Sequence, residues 1–216
     1  MAVLEIITAG VGILFAVLAL TPAIDAHRHA ALRRLVPGVC RILEAHHIDY
    51  WCDFGTLLGF HRERNIIRGD KDADLSIAEA ERPRLMALAS VFAEAGYELT
   101  DRGGRAGNVI RIFDRKTRYY VDVYAYVRDG AMLRSVAFSP GEDIPADLVA
   151  RRIDAEFLGA TIRIPADVEG VLEYRYGPQF RIPRRGDKGV ARPYSRMRSV
   201  LEDLQDNVLG IWAWLR

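Results

Sequence analysis

The sequence predicts an α/β (α+β) domain, and three observations predict it. Apolar residues Leu32, Leu35, Val36, Val39, Ile42 and Leu43 recur at spacings of three and four, then run into an apolar strand, Ile48 to Cys52. That strand passes through Asp53, Phe54, Gly55 and Thr56 directly into a helix beginning near Leu57. Tyr97 to Thr100, Asn108 to Asp114 and Arg118 to Val127 then read as three further strands.

From Ala2 to Ile24 the chain is almost wholly apolar, interrupted by Glu5 and Thr8. It matches the ~20 helical residues that cross a hydrocarbon core. A secretory signal peptide and a buried core helix are the rivals. The segment lacks a basic start and a small-x-small cleavage site, so a single-pass membrane anchor is expected. Arg28, Arg33 and Arg34 follow it and no basic residue precedes it. By the positive-inside tendency the rest of the chain lies in the cytoplasm. The helical pattern then runs from Asp25 to His47, with Pro37 expected to kink or break it. His46 and His47 are adjacent and face different directions on a helix, so they read as a polar helix end. The HRH run at 27–29 reads as a solvated or headgroup-facing stretch.

The chemistry concentrates between Cys52 and Ile77. Gly55 lets the backbone approach a ligand, and Thr56 can offer its hydroxyl and the N–H groups of a helix start to an anion. Further on, Asp72 and Asp74 alternate with Ala73, Leu75 and Ile77. On a strand both carboxylates point to one face and the apolar residues to the other. Such a pair can share a hard divalent cation, typically Mg²⁺, through oxygen.

Glu79 to Ala95 carries Leu85, Leu88, Val91 and Phe92 on helical spacing, with Gly96 placed to stop the helix. The turn at 101–107 lacks the spacing of a dinucleotide fingerprint and precedes a strand, so a hairpin is expected. In the strand that follows, Tyr120, Asp122, Tyr124 and Tyr126 share one face. Burying Asp122 there is costly without a partner or a metal, the alternative being a wet edge strand. Phe157 to Ile164 alternates as another strand, and a short helical run lies within 165–177. At the C-terminus a helical pattern carries Val200, Leu201, Leu204, Val208, Ile211, Trp212 and Leu215 after a basic stretch. It fits a helix packed on the domain or one lying in a membrane interface.

A formal net charge of +1 gives no reason to expect nucleic acid as a partner. Cys40 and Cys52 sit in apolar contexts without metal-ligand spacing and read as reduced, buried small hydrophobes.

The order strand, Gly-Thr, helix, strand with Asp-x-Asp resembles the nucleotidyltransferase fold. Within it, DFGTLLGFHRERNIIRGDKDADL is similar to the signature of the LicD and fukutin-related family. Gly55 to Gly59 match its turn, Arg62 its arginine, and Asp70, Asp72 and Asp74 its acidic cluster. Leu172, Tyr176, Gly177 and Pro183 match its closing element. Arg68 and Gly69 stand where the family carries Pro-Trp, and Lys71 interrupts the acidic run.

The resemblance implies a mixed sheet flanked by helices. It also implies transfer of a phosphorylated alcohol, such as phosphocholine or ribitol phosphate, from a CDP-linked donor to a hydroxyl of a glycan or lipid-linked glycan of the cell envelope. Asp72, Asp74 and Asp122 would hold Mg²⁺ or Mn²⁺, while Gly55, Thr56 and Arg62 would position the donor. Asp53 would accept the acceptor's proton or cap the turn. The expected organisation is an anchor at 1–24, a catalytic domain at 25–190 and an amphipathic helix at 191–216. Two other functions are carried: nucleotidyl transfer from a triphosphate to a small-molecule hydroxyl, and a lapsed, membrane-tethered binding domain.

Overall fold

The computed structural model describes residues 2–101, 109–137 and 142–183, with side chains described from residue 22 onward. The first element is helix α1, Ala2–Ala45, which runs through both Pro22 and Pro37 without ending. The break expected at Pro37 is absent. A proline removes one hydrogen bond of the helical ladder, and here Leu32, Leu35, Val36, Val39 and Leu43 are all buried on either side of it, which holds the turns together. Among the described residues no helix is long and apolar enough to cross a membrane. Most of the expected anchor falls on residues 1–21, outside those whose side chains are described, as does the whole of the C-terminal helix at 191–216.

Strand β1, Tyr50–Cys52, leads through Asp53 into α2, Phe54–Glu63. Strand β2, Ala73–Ala78, follows. The helix expected over Glu79 to Ala95 is divided into a 3-10 turn at Glu79–Glu81, α3 at Arg82–Met86 and α4 at Ala89–Glu94. Leu85 and Phe92 nevertheless point inward as the periodicity requires.

Strands β3, Tyr97–Thr100, β4, Ile110–Asp114, and β5, Tyr120–Asp129, form antiparallel pairs in sequence. Strand β6, Met132–Ser135, and the two-residue β7, Ile144–Pro145, extend the sheet and have no counterpart in the sequence reading. The main path runs β1-β2-β5-β4-β3, with β2 and β5 parallel and the other neighbours antiparallel, a mixed sheet as expected.

The single strand expected at Phe157 to Ile164 is a hairpin, β8 (Arg152–Phe157) and β9 (Ala160–Pro165). Leu158 and Gly159 both have positive φ, 53° and 77°, the geometry a two-residue hairpin turn demands. Strand β9 packs against α1 and β1. The last described helix, α5, spans Val168–Tyr176.

Alternation decides which face does what. Ala73, Leu75 and Ile77 of β2, with Val121, Val123 and Ala125 of β5 and Ile110 and Ile112 of β4, are buried in one core with the apolar stripe of α1. The opposite face of the same strands carries Asp74, Ser76, Arg111, Asp122 and Tyr124, and α2 lies against β2 and α5.

Candidate active site

The parallel pairing of β2 with β5 puts Asp74 directly opposite Asp122. Neighbouring strands lie about 4.8 Å apart, so the two carboxylates leave the same face side by side. Asp72 stands two residues before Asp74, at the entry to β2. The start of α2 is laced to this point. Gly55 N–H donates to Asp74 Oδ2 at 3.0 Å, and Asp74 N–H donates to Thr56 Oγ1 at 2.8 Å. A Cβ on residue 55 would stand 3.0 Å from Asp70 Oδ2 and 3.2 Å from Asp74 Oδ2, so the missing side chain of Gly55 makes room for carboxylates.

The expected anion cradle is thus turned toward the protein's own acid. The Gly55 N–H and the Thr56 hydroxyl oxygen are both committed to Asp74. Arg62 sits in the last turn of α2, seven residues and about 10 Å along the helix axis from Gly55. The Gly-Thr turn therefore helps to build the acidic site, while the Thr56 hydroxyl, which accepts there, keeps its own proton to donate.

The acidic site gathers Asp70, Asp72, Asp74 and Asp122 closely enough for their charges to act on one another. Burial, followed by the charges of Asp72, Asp122, Asp70 and Asp53, pushes the Asp74 carboxyl well above the usual carboxylate range. Burial, then Asp72, pushes Asp122 up to about 7 even though the Arg111 guanidinium pulls the other way. Burial and the same three aspartates, 74, 122 and 72, also raise Tyr124. Like charges gathered in a partly dry place favour either a proton or a bound cation.

The donor set fits a hard cation. It is all carboxylate oxygen, and Asp74 Oδ1 and Asp122 Oδ2 accept no hydrogen bond among the described residues. Among those residues no three carboxylate, histidine or cysteine side chains are gathered closely enough to hold a metal ion by themselves.

Asp53 has a different environment from the one a proton acceptor needs. It is completely buried. Its Oδ1 accepts from Phe54 N–H at 2.8 Å and Arg175 Nε at 3.3 Å. Its Oδ2 accepts from Arg175 Nη2 at 2.8 Å, Ser76 Oγ at 3.0 Å and Trp51 Nε1 at 3.3 Å. A carboxylate so saturated and so far from solvent is an anchor, and it makes the capping contact expected of it.

The anchor holds a strained residue. Phe54 has φ of 41°, a left-handed conformation that costs about 1–3 kcal/mol outside glycine. Its N–H is held by Asp53, and its ring lies between the Arg175 guanidinium at 4.0 Å and the Tyr124 ring at 4.9 Å. Arg175 comes from α5, and Nη2 also donates to the Tyr126 hydroxyl at 3.0 Å while Nη1 donates to the Glu142 carbonyl.

Three of these residues escaped the sequence reading. Arg175 lies inside the closing element, which is read for Leu172, Tyr176, Gly177 and Pro183, and its burial is a property of α5 docking on α2 and β9. Ser76 was passed over within the Asp-x-Asp strand, although its position two residues after Asp74 was a usable signal. Arg111 required the register of β4 on β5, which places it opposite Asp122, where Nε donates to Oδ1 at 2.8 Å.

Fold and site together define an α/β domain that displays register-paired aspartates on one face of a mixed sheet, beside a helix that begins at Gly-Thr. Residues 47–167, more than half of the chain, match the model described as LicD/FKTN/FKRP, nucleotidyltransferase domain, and the chain belongs to that family. It is 29% identical over 157 residues to human "Ribitol 5-phosphate transferase FKRP", an overlap of 68% of this chain and 31% of that protein. It is 24% identical over 140 residues to mouse "Ribitol-5-phosphate transferase FKTN", covering 63% of this chain and 30% of the relative. The chain thus spans about a third of the length of these relatives. A solution structure of the antibiotic-resistance factor ANT(2'')-Ia aligns over 86% of this chain and 85% of its own at 12% identity, with a TM-score of 0.43, too low to support a statement about this protein.

Proposed function

We propose that this protein transfers a phosphorylated alcohol, of the ribitol-phosphate or phosphocholine kind, from a CDP-linked donor to a hydroxyl of a glycan, with release of CMP. The observation that carries the reading is the pairing of Asp74 with Asp122, with Asp72 beside them, in a domain of a family whose curated relatives are named ribitol-phosphate transferases.

In the reaction the acceptor oxygen attacks the phosphorus bearing the alcohol. The bond from that phosphorus to the CMP oxygen breaks, and the hydroxyl proton leaves to solvent. Mg²⁺ or Mn²⁺ held by Asp72, Asp74 and Asp122 would offset the charge that builds on the diphosphate. Gly55 and Thr56 act on Asp74, fixing its carboxylate and its backbone. Asp53, gripped by Arg175, fixes the turn that carries them. Residues 1–24 serve, in this reading, as a tether that keeps the domain on the cytoplasmic face of a membrane, near a lipid-linked acceptor.

The test is CMP release from CDP-ribitol and CDP-choline with Mn²⁺, set against pyrophosphate release from CTP, alongside calorimetric Mn²⁺ binding. Asp72→Asn, Asp74→Asn and Asp122→Asn should each lower CMP release by orders of magnitude and weaken Mn²⁺ binding. Pairs of these substitutions should lose little more than the worst single one, because the three act as a unit. Preference for CTP would replace this reading with nucleotidyl transfer, and binding of neither metal nor nucleotide would leave a lapsed domain.

A further inference from the structure

The proposed donor brings a diphosphate to the face that carries Asp74 and Asp122, where a guanidinium with unused donors would add to the hold on its oxygens. The Gly-Thr turn supplies no full positive charge: its Gly55 N–H donates to Asp74 Oδ2, and its Thr56 hydroxyl is neutral. Arg111 differs from the other ion-paired arginines in how it is bound. Arg84, Arg118, Arg134 and Arg175 each give an Nη to a carboxylate. Arg111 gives Nε alone to Asp122 Oδ1, and its Nη1 and Nη2 meet no acceptor among the described residues. Its guanidinium lies 4.5 Å from the centre of the Tyr120 ring, which fixes the plane of the group. The side chain is 35% exposed, against 7% for Asp122, so the fork is reachable from solvent at the rim of the acidic site.

On the reading given above of a CDP-linked donor, we infer that Arg111 is a phosphate-binding residue of this site, holding a donor phosphate oxygen through Nη1 and Nη2 while Nε stays on Asp122. A guanidinium held at Nε and by its flat face presents its two remaining nitrogens as a pre-oriented pair, the geometry that matches phosphate oxygens. A counter-ion for Asp122 would need its charge alone. Here the contact uses Nε and leaves the two Nη nitrogens of a partly exposed side chain for the phosphate oxygens of the donor.

The two roles respond oppositely to substitution. Calorimetry on the full chain would measure Mn²⁺ alone, then CDP in the presence of Mn²⁺, for the parent, Arg111→Met and Arg111→Lys, with Arg118→Met as a control from the same sheet face. Arg111→Met should bind Mn²⁺ as tightly as the parent or more tightly, because Asp122 loses a competing cation, while its affinity for CDP falls about 10- to 100-fold. Arg111→Lys keeps the charge without the fork and should fall between. Arg118→Met should bind CDP like the parent. CDP affinity equal to the parent's in both Arg111 variants overturns the assignment and leaves the proposed function standing; a parent that binds neither Mn²⁺ nor CDP overturns both. Melting temperature reports folding, and if Arg111→Met does not fold, parent-like CDP affinity in Arg111→Lys is the overturning result.

Discussion

Asp74 and Asp122 occupy paired positions in the parallel ladder of β2 and β5, so two carboxylates that belong to segments about fifty residues apart share one buried corner. Asp74 receives a backbone N–H, and Asp122 receives the Arg111 guanidinium, which pulls its carboxyl down against the burial and the Asp72 charge that push it up. The expected consequences of this corner and of the anchor beside it can be measured one at a time.

The pH dependence of metal-free stability follows from Asp122. Its carboxyl rises from 3.8 to about 7 on folding, so the folded state holds the proton more tightly than the unfolded chain. That contribution to stability is fully present below about pH 4 and is lost as pH climbs through 7. Asp122→Asn removes the loss. Urea unfolding without metal should show the variant gaining on the parent by on the order of 1–3 kcal/mol between pH 5 and pH 8. An identical pH response in both proteins would rule out a carboxyl raised by burial and Asp72 at this position.

The two glycines of the α2 turn should separate site from scaffold. A Cβ at Gly55 presses on the ends of Asp70 and Asp74, which are side chains and can yield by a few tenths of an ångström. Gly55→Ala should therefore fold, with a melting temperature close to the parent's, and bind Mn²⁺ about tenfold more weakly. A Cβ at Gly59 collides with the backbone carbonyl of Asn65, which has nowhere to go. Gly59→Ala should lose about 2 kcal/mol or more of stability. The reverse ranking in a thermal melt would contradict this division.

Breaking the buried ion pair from one side should cost more than any surface substitution. Asp53→Ala leaves the guanidinium of Arg175 enclosed without its carboxylate, and frees Phe54 from the cap that holds its left-handed backbone. A loss of about 3–5 kcal/mol is expected. Asp53→Asn keeps an acceptor for Phe54 N–H and should lose less. If Asp53 were instead a proton acceptor in catalysis, Asp53→Asn would retain full stability and abolish turnover, and chemical denaturation beside CMP release distinguishes the two.

Removing residues 1–21 tests the tether while keeping all of the described buried side chains of α1, from Ile24 onward. The truncated chain should remain folded and stay in the soluble fraction, whereas the intact chain should sediment with membranes. An intact chain found wholly in the soluble fraction would remove the tether from the proposed function.

The sequence by itself determined the local chemistry of the site. Small residues at 55 and 56, carboxylates at 72 and 74 on an alternating strand, and an aspartate among apolar neighbours at 122 are all readable because strand alternation and helix starts are short-range properties. The same short range explains the misreadings: no break falls at Pro37, where tertiary packing carries the helix through, and the Leu158–Gly159 turn folds two strands where alternation suggests one. What the tertiary structure decided was pairing. Register set Asp74 against Asp122 and Arg111 against Asp122, and the docking of α5 delivered Arg175 to Asp53 across 122 residues of sequence. Which strands become neighbours depends on how the whole apolar face is buried, and no window of sequence contains that sum. The Gly-Thr turn shows the boundary between the two: its residue types announced a close approach, and the fold chose a carboxylate of the same chain as the group that approaches.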